Sequence, residues 1–411
     1  ILRCLVGSEM CIRDSNNENK VLNVPHLRFP EFSGEWNKYT INDLATVVGG
    51  GTPDTTVKSY WGGDIQWFTP SEIGKNKYVD FSKRTITRDG LDNSSAKLLP
   101  LHTILLSSRA TVGECSIASN ECTTNQGFQS LIAKQCNIDF LYYLIQTKKK
   151  DLIRNACGST FLEISANEIR KIKVAVPVQN EQEQIAKLLS LIDERIATQN
   201  KIIEKLQSLI KGLVDELMTV LLKGKLYPFS SFYIKAGEGG TPTTSVVEYY
   251  TEGTIPFIKI EDLSCKYLTN NKDFITELGM QKSSAWLIPS KSVIYSNGAT
   301  IGAISINEYP VCTKQGILGI VPNTNINVEY LYLLMSSSYF SKEISRIITE
   351  GTMKTAYLKD INHIKCPLPS MAQQKNITNL TSSIEEKLSI EQELLRFLNL
   401  QKQYLLHMIF I

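Results

Sequence analysis

A chain that repeats its motifs in the same order at one long interval is constrained to fold as two copies of a single domain. This sequence does so. Gly50-Gly51-Thr52-Pro53 returns as Gly239-Gly240-Thr241-Pro242, each shortly before an aromatic pair, Tyr60-Trp61 and Tyr249-Tyr250. Ala110-Thr111-Val112-Gly113 returns as Ala299-Thr300-Ile301-Gly302, and Gln126-Gly127 as Gln315-Gly316. Phe140-Leu141-Tyr142-Tyr143-Leu144 aligns with Tyr330-Leu331-Tyr332-Leu333-Leu334, and the run from Ile172 to Pro177 with that from Ile364 to Pro369. The interval drifts from 189 (Gly50 to Gly239) to 192 (Ile185 to Ile377), as a few loop insertions would cause. It is far too long for a solenoid repeat, so each copy is a complete domain. Two diverged copies suggest two related binding events on one extended partner.

Within each copy, short apolar runs punctuated by Gly, Pro, Asn and Asp predict short β-strands: Ile65 to Phe68, Ile104 to Leu106, Cys115 to Ala118 and Ser130 to Ala133 in the first. The second repeats the order with Ile255 to Ile260, Val293 to Tyr295 and Ile317 to Val321. Helical spacing follows, over Ile138 to Asn155 and Val328 to Ile348.

Each copy ends in a long heptad pattern. Leu189, Ile192, Ile196, Gln199, Ile203, Leu206, Ile210, Leu213 and Leu217 alternate steps of three and four, broken only by Gln199. The second seam is more polar, with Thr381, Glu391 and Lys402 among Ile377, Ile384, Leu388, Leu395, Leu398, Leu405 and Ile409. A lone helix of this length cannot hide its stripe, so the two are expected to pair antiparallel, with a globular unit at each end of a shared rod. At 1.5 Å per residue the first helix is about 60 Å long, or on the order of 18 base pairs of DNA. The expected fold class is therefore α+β: two tandem β-rich domains joined by two long helices in an antiparallel coiled coil, with pseudo-two-fold symmetry. The expected boundaries are 24–178 and 224–370 for the domains, and 179–223 and 371–411 for the helices. The leader, 1–23, is expected to lie outside the fold, and Ile1 to Ser15 reads as an artefact of cloning or assembly.

Composition excludes more than it selects. A chain of 411 residues that is 42% hydrophobic can bury two cores. Its net charge of +3 permits DNA as a partner without demanding it. Nine cysteines with no C-x-x-C pair, and only four histidines, argue against zinc and for reduced cytoplasmic thiols. No stretch nears the ~18 apolar residues of a membrane span, and Arg3, Glu9, Arg13 and Asp14 break any signal-peptide core. There is no phosphate loop, no Asn-Pro-Pro-Tyr or Asp-Pro-Pro-Tyr segment of an amino-methyltransferase, and no Ser/His/Asp or Cys/His arrangement. Gly49-Gly50-Gly51 lacks nucleotide-binding spacing and reads as a tight turn, while Lys148-Lys149-Lys150 reads as solvated.

What remains suits a binding surface. Each Gly-Gly-Thr-Pro segment fixes a turn whose hydroxyls and amides can meet phosphate or base edges, which makes Thr52, Pro53, Thr241 and Pro242 candidates. Ser107-Ser108-Arg109-Ala110-Thr111 and Ser296-Asn297-Gly298-Ala299-Thr300 are polar loops after an apolar strand. Arg109 suits a two-point contact with guanine and Asn297 one with adenine. Ser108, Thr111, Thr300, Gln126, Lys314 and Gln315 complete the candidate DNA-contacting set. For each loop taken alone, a structural turn is an equally good reading.

In combination these motifs resemble the specificity subunit of Type I restriction-modification enzymes, over nearly all of the chain from Val24 onward. The resemblance rests on Pro25 to Phe32 followed by Trp36, Gly-Gly-Thr-Pro before Gly63-Asp64-Ile65-Gln66-Trp67, Arg109 to Gly113, Asn125 to Phe128, and Pro177 to Ile185 leading into Ile192-Asp193. Gln182 and Ile185 are matched by Gln374 and Ile377. It implies two target recognition domains reading the halves of a bipartite double-stranded DNA sequence, with the helices as a ruler. It implies no catalytic site and no cofactor on this chain. Two modification subunits would carry S-adenosylmethionine, and motor-nuclease subunits ATP and magnesium. The second copy departs from the pattern with Gly298 at the place of Arg109 and Lys314 at that of Asn125. The competing readings are a single-chain restriction enzyme with an unrecognised active site, and a coiled-coil adaptor without DNA affinity.

Overall fold

A computed structural model describes residues 23–158, 162–298, 300–348 and 354–411. The leader expected outside the fold lies almost wholly outside the described residues. Two compact units result: one runs to Gln199 and takes in Leu394–Ile411, and the other is Asn200–Glu393. Each long helix is thus divided between the two units and does not form a separate body.

The first unit is built on a five-stranded sheet of order β2 (Ala45–Gly49), β9 (Gln129–Ala133), β6 (Ile104–Leu106), β7 (Cys115–Ala118) and β4 (Tyr78–Val79). The central strand β6 is Ile-Leu-Leu, buried throughout, and its β-propensity and burial agree. A three-stranded sheet, β5 (Arg84–Ile86), β3 (Trp61–Phe68) and β8 (Cys122–Thr124), carries the Trp61 and Trp67 pair. A two-stranded ribbon, β1 (Asn37–Thr40) with β10 (Lys173–Val176), closes the domain. Short helices α1 (Ile41–Leu44), α2 (Arg88–Asp92), α4 (Lys149–Arg154) and α5 (Ala166–Lys171) fill the connections. The apolar helix α3 (Ile138–Thr147) buries Phe140 to Ile145 in the main core.

The second unit repeats this plan strand for strand. Its five-stranded sheet is β12 (Tyr233–Glu238), β19 (Ile317–Pro322), β16 (Val293–Ser296), β17 (Ile304–Asn307) and β14 (Tyr267–Leu268). The small sheet is β15 (Asp273–Ile275), β13 (Ile255–Ile258) and β18 (Cys312–Thr313), and the ribbon β11 (Leu226–Pro228) with β20 (Lys365–Pro367). Its helices are α7 (Glu277–Gln281), α8 (Val328–Ser336), α9 (Ser338–Ile347) and α10 (Leu358–Ile361).

The long helices are α6 (Gln179–Leu221) and α11 (Met371–Ile409). In the first unit they run antiparallel: Glu181 and Phe410 meet at Trp36, while Asp193 pairs with Lys402 at 2.7 Å. Ile185, Leu189 and Ile192 share one core with Leu405, Leu406 and Ile409. Lys402, a polar break in the predicted seam, is satisfied by that ion pair. Buried Thr381 is satisfied by donating to the Thr378 carbonyl at 3.1 Å. In the second unit the seam residue Ile203 is buried as predicted, but towards the end of α6 the buried positions are Val214 and Met218, and the predicted Leu213 and Leu217 are only half-buried. A 3.6-residue helix drifts by ~20° per heptad against a 3.5-residue seam, so about four heptads past Leu189 the apolar face has moved by nearly one residue. There α6 meets Phe229 and Phe340 of the domain core.

Each long helix is anchored at its start by the same glutamine. Gln182 accepts from the Asn137 backbone N–H at 3.0 Å and donates to the Pro177 carbonyl at 2.9 Å. Gln374 accepts from Asn327 N–H at 2.7 Å and donates to Pro369 at 3.0 Å. Asn137 and Asn327 are the N-caps of α3 and α8, accepting from Phe140 and from Glu329 and Tyr330. The duplicated glutamine therefore welds the start of a long helix to the start of a domain helix.

Candidate nucleic-acid interface

In both units the Gly-Gly pair lets its loop sit directly on a neighbouring strand. A Cβ at Gly50 would lie 2.0 Å from the Asn125 carbonyl oxygen, and one at Gly239 2.1 Å from that of Thr313. These glycines serve close approach, and neither has positive φ. The loop is pinned by Gly51 N–H to Thr124 O at 2.8 Å, and by Gly240 N–H to Thr313 O at 3.0 Å.

That approach gathers the candidate residues along one loop edge. In the first unit Thr52 hydrogen-bonds Gln126 through their side chains. Ser108 N–H then donates to Gly127 O at 2.8 Å, and Ser107 holds the next turn through the Arg109 carbonyl and the Thr111 hydroxyl, both at 3.0 Å. Arg109 reaches across to Glu163, with Nε at 3.1 Å and Nη2 at 2.7 Å from one carboxylate oxygen. Both remain open to solvent, at 47% and 41% side-chain exposure. Beside them Ala110 is held at φ +63°, a left-handed conformation that costs a non-glycine residue on the order of 1–2 kcal/mol. The second unit repeats the backbone link, Asn297 N–H to Gly316 O at 3.0 Å, and joins the same threonine and glutamine differently, with Gln315 N–H donating to the Thr241 hydroxyl at 3.4 Å.

Arg109, Thr111, Gln126, Thr300, Lys314 and Gln315 are exposed on these edges, and Thr52 and Thr241 are half-buried. Four candidates are not on the surface. Pro53 and Pro242 are buried in their turns, and Ser108 is fully enclosed. Asn297 is also interior, its amide donating to the Ala356 carbonyl at 3.1 Å, so the expected adenine contact does not fit its placement. It holds together two crossing backbone segments, as Ser108 does where its carbonyl accepts from Ile164 N–H at 2.9 Å.

Sequence reading missed Glu163, which lies 54 residues from Arg109 and carries no local signal. It also missed a stack next to the first Gly-Gly-Thr-Pro loop. The Arg84 guanidinium lies 3.6 Å from the Trp61 ring centre, and Trp61 stands edge-on to Trp67 at 5.0 Å. In the second unit the counterpart of Arg84 is Asp273, which pairs instead with Lys259 at 2.9 Å and holds that ammonium above its usual pKa.

The chemistry on offer is hydrogen bonding and charge. Among the described residues no group of three or more His, Cys, Asp and Glu side chains is placed to hold a metal ion. Burial pushes the Cys115, Cys122, Cys136 and Cys366 thiols up to about 12, far from a reactive thiolate. The described cysteines carry no disulfide, and no described helix is long and apolar enough to cross a membrane.

Two copies of one α+β domain, each presenting a polar loop edge and gripping the ends of two long helices, define a two-domain recognition protein. The sequence profile described as "Type I restriction modification DNA specificity domain" matches residues 33–208 and 232–399, so the chain belongs to that family. It is a DNA-sequence-recognising specificity subunit. The Type I restriction enzyme MjaIX specificity subunit of Methanocaldococcus jannaschii is 29% identical over 382 residues, covering 86% of this chain and 88% of the relative. The EcoR124I/EcoR124II specificity subunit of Escherichia coli is 29% identical over 175 residues, 41% of this chain and 43% of its own. The crystal structure of a Type I S subunit from M. genitalium shares the fold at TM-score 0.53 and 18% identity, covering 94% of this chain and 99% of that one. The reading as a single-chain restriction enzyme finds no support in these relatives.

Proposed function

We propose that each unit reads one half of a bipartite, asymmetric DNA sequence with its loop edge, and that this chain contributes no catalytic group. The observation that carries the reading is the pairing of an invariant scaffold with a variable tip. The same backbone links hold both edges, while the residues carried on them differ: exposed Arg109 and half-buried Asn125 in one, a buried Gly298 and exposed Lys314 at the same places in the other, beside Gln126 and Gln315 in both. Arg109, held out from the surface, suits bidentate recognition of guanine; Gln126 and Gln315 suit adenine. In this reading Thr52, Thr111, Thr241, Thr300 and Lys314 meet phosphates and position the edge.

Catalysis then belongs to partners: two modification subunits using S-adenosylmethionine to methylate adenine, and motor-nuclease subunits using ATP and magnesium. The reduced, buried thiols suit a cytoplasmic setting. The test is methylation mapping in cells carrying the chain with its modification subunits, beside cleavage and methylation assays on the purified chain alone. One bipartite motif and an inert isolated chain are expected. An uninterrupted motif, or cleavage by the chain alone, would overturn the reading.

A further inference from the structure

The loop edges are not the only arrangement found twice. At the outer edge of each five-stranded sheet, beside β4 and β14, a lysine emerges from the same backbone position. The Lys77 carbonyl accepts from Ile117 N–H, and the Lys266 carbonyl from Ile306 N–H, both at 2.7 Å. Both side chains are nearly enclosed, at 10% and 15% exposure.

Lys77 Nζ lies 2.7 Å from Asp139 on the domain helix α3 and donates to Ser190 on the long helix α6 at 2.6 Å. Lys266 Nζ meets Glu329 on the domain helix α8 and Glu385 on the long helix α11, the latter at 2.5 Å. Aromatic faces enclose each ammonium: Tyr143 at 4.8 Å from Lys77, and Tyr267 and Tyr332 at 5.2 and 5.4 Å from Lys266. Each lysine therefore joins three elements: the recognition sheet, the domain's helix and the long helix.

An ion pair so enclosed contributes little net stability compared with apolar packing of the same shape, because desolvation offsets the attraction. What it supplies is direction, since only one placement of the sheet on the helix satisfies both anionic or hydroxyl partners at once. Both copies hold such a lysine although the positions around it have diverged, Tyr143 in one standing where Leu333 stands in the other.

We propose that Lys77 and Lys266 are positioning residues that fix the angle of each recognition domain on its long helix, and thereby the number of base pairs tolerated between the two half-sites. The inference rests on the bipartite reading above. Base identity belongs to the loop edges, so releasing the clamp leaves both half-sites unchanged and relaxes only their separation.

The experiment is methylation by the complex reconstituted with its modification subunits, on DNA whose spacer is the native length or one base pair longer or shorter. Lys266→Met keeps the apolar stem and removes the charge; Glu385→Gln keeps the shape and an acceptor oxygen. We expect both variants to retain the wild-type bases and native-spacer rate within about twofold, and to raise the off-length to native-length ratio by about tenfold, a difference of ~1.4 kcal/mol. Lys266→Arg is expected to restore discrimination. A ratio equal to wild type in a folded variant would overturn the inference. So would an equal loss at every spacer length, which marks a merely structural role. If Lys266→Met does not fold, Glu385→Gln and Lys77→Met decide by the same ratio. A wild-type complex with no fixed spacer would instead defeat the bipartite reading itself.

Discussion

The two units share a skeleton and differ at their edges. Gly50 and Gly239 occupy the same close approach, Gln182 and Gln374 the same weld, and Lys77 and Lys266 the same junction. At the loop tips the agreement ends. The first unit places Arg109 against Glu163; in the second, Gly298 and Thr355 stand at those two places, so both partners of the ion pair have gone together. Arg84 stacks on Trp61 in one, while its counterpart Asp273 binds Lys259 in the other. The backbone paths are held in common; the side chains part at the loop tips and also at the interior pair Ser108 and Asn297, where main-chain groups make the same links.

Breaking the shared skeleton should do the most damage, and equally in both units. Gly50→Ala or Gly239→Ala drives a methyl into a carbonyl oxygen that cannot swing away, and each is expected to destabilise its own unit by on the order of 3 kcal/mol. Chemical denaturation checks this; tolerance at one site alone would mean the two approaches are not equivalent.

Cutting the weld comes next. Gln182→Ala leaves the Asn137 amide and the Pro177 carbonyl without their partner, and Gln374→Ala does the same at Asn327 and Pro369, for about 1–3 kcal/mol each. Hydrogen exchange at the Asn137 and Asn327 amides should rise in the corresponding variant and nowhere in the other unit.

The edge is where the units should separate. Arg109→Ala is expected to remove about 1–3 kcal/mol of discrimination at one base pair of the first half-site and none in the second. Competition binding with single-base variants measures it, and a uniform loss across all variants would reassign Arg109 to phosphate. Smallest of all, Glu163→Gln should change thermal stability by no more than about 1 kcal/mol, because the pair is open to water. Its effect should show instead as altered specificity at the same base pair that Arg109 reads.

Duplication, the order of the main elements along the chain, the sheet-and-helix class and the long helices were legible in the sequence, because repeated spacing and periodicity survive in one dimension; the order of strands within each sheet was not. The loop edge was legible as a set of polar segments, and Gln126, Gln315 and Lys314 are exposed on it. Their partners were not. Glu163 reaches Arg109, and Asp193 reaches Lys402, only after strands and helices have stacked. Likewise Ser108 and Asn297 look like surface groups in a polar loop, yet they are interior because crossing segments cover them. The shift of the seam from Leu217 to Met218 follows from helix twist summed over several turns and from what the helix meets at its end. Sequence determined which segments form and recur; burial and pairing of individual polar groups are set by neighbours distant along the chain, and only tertiary packing decided them.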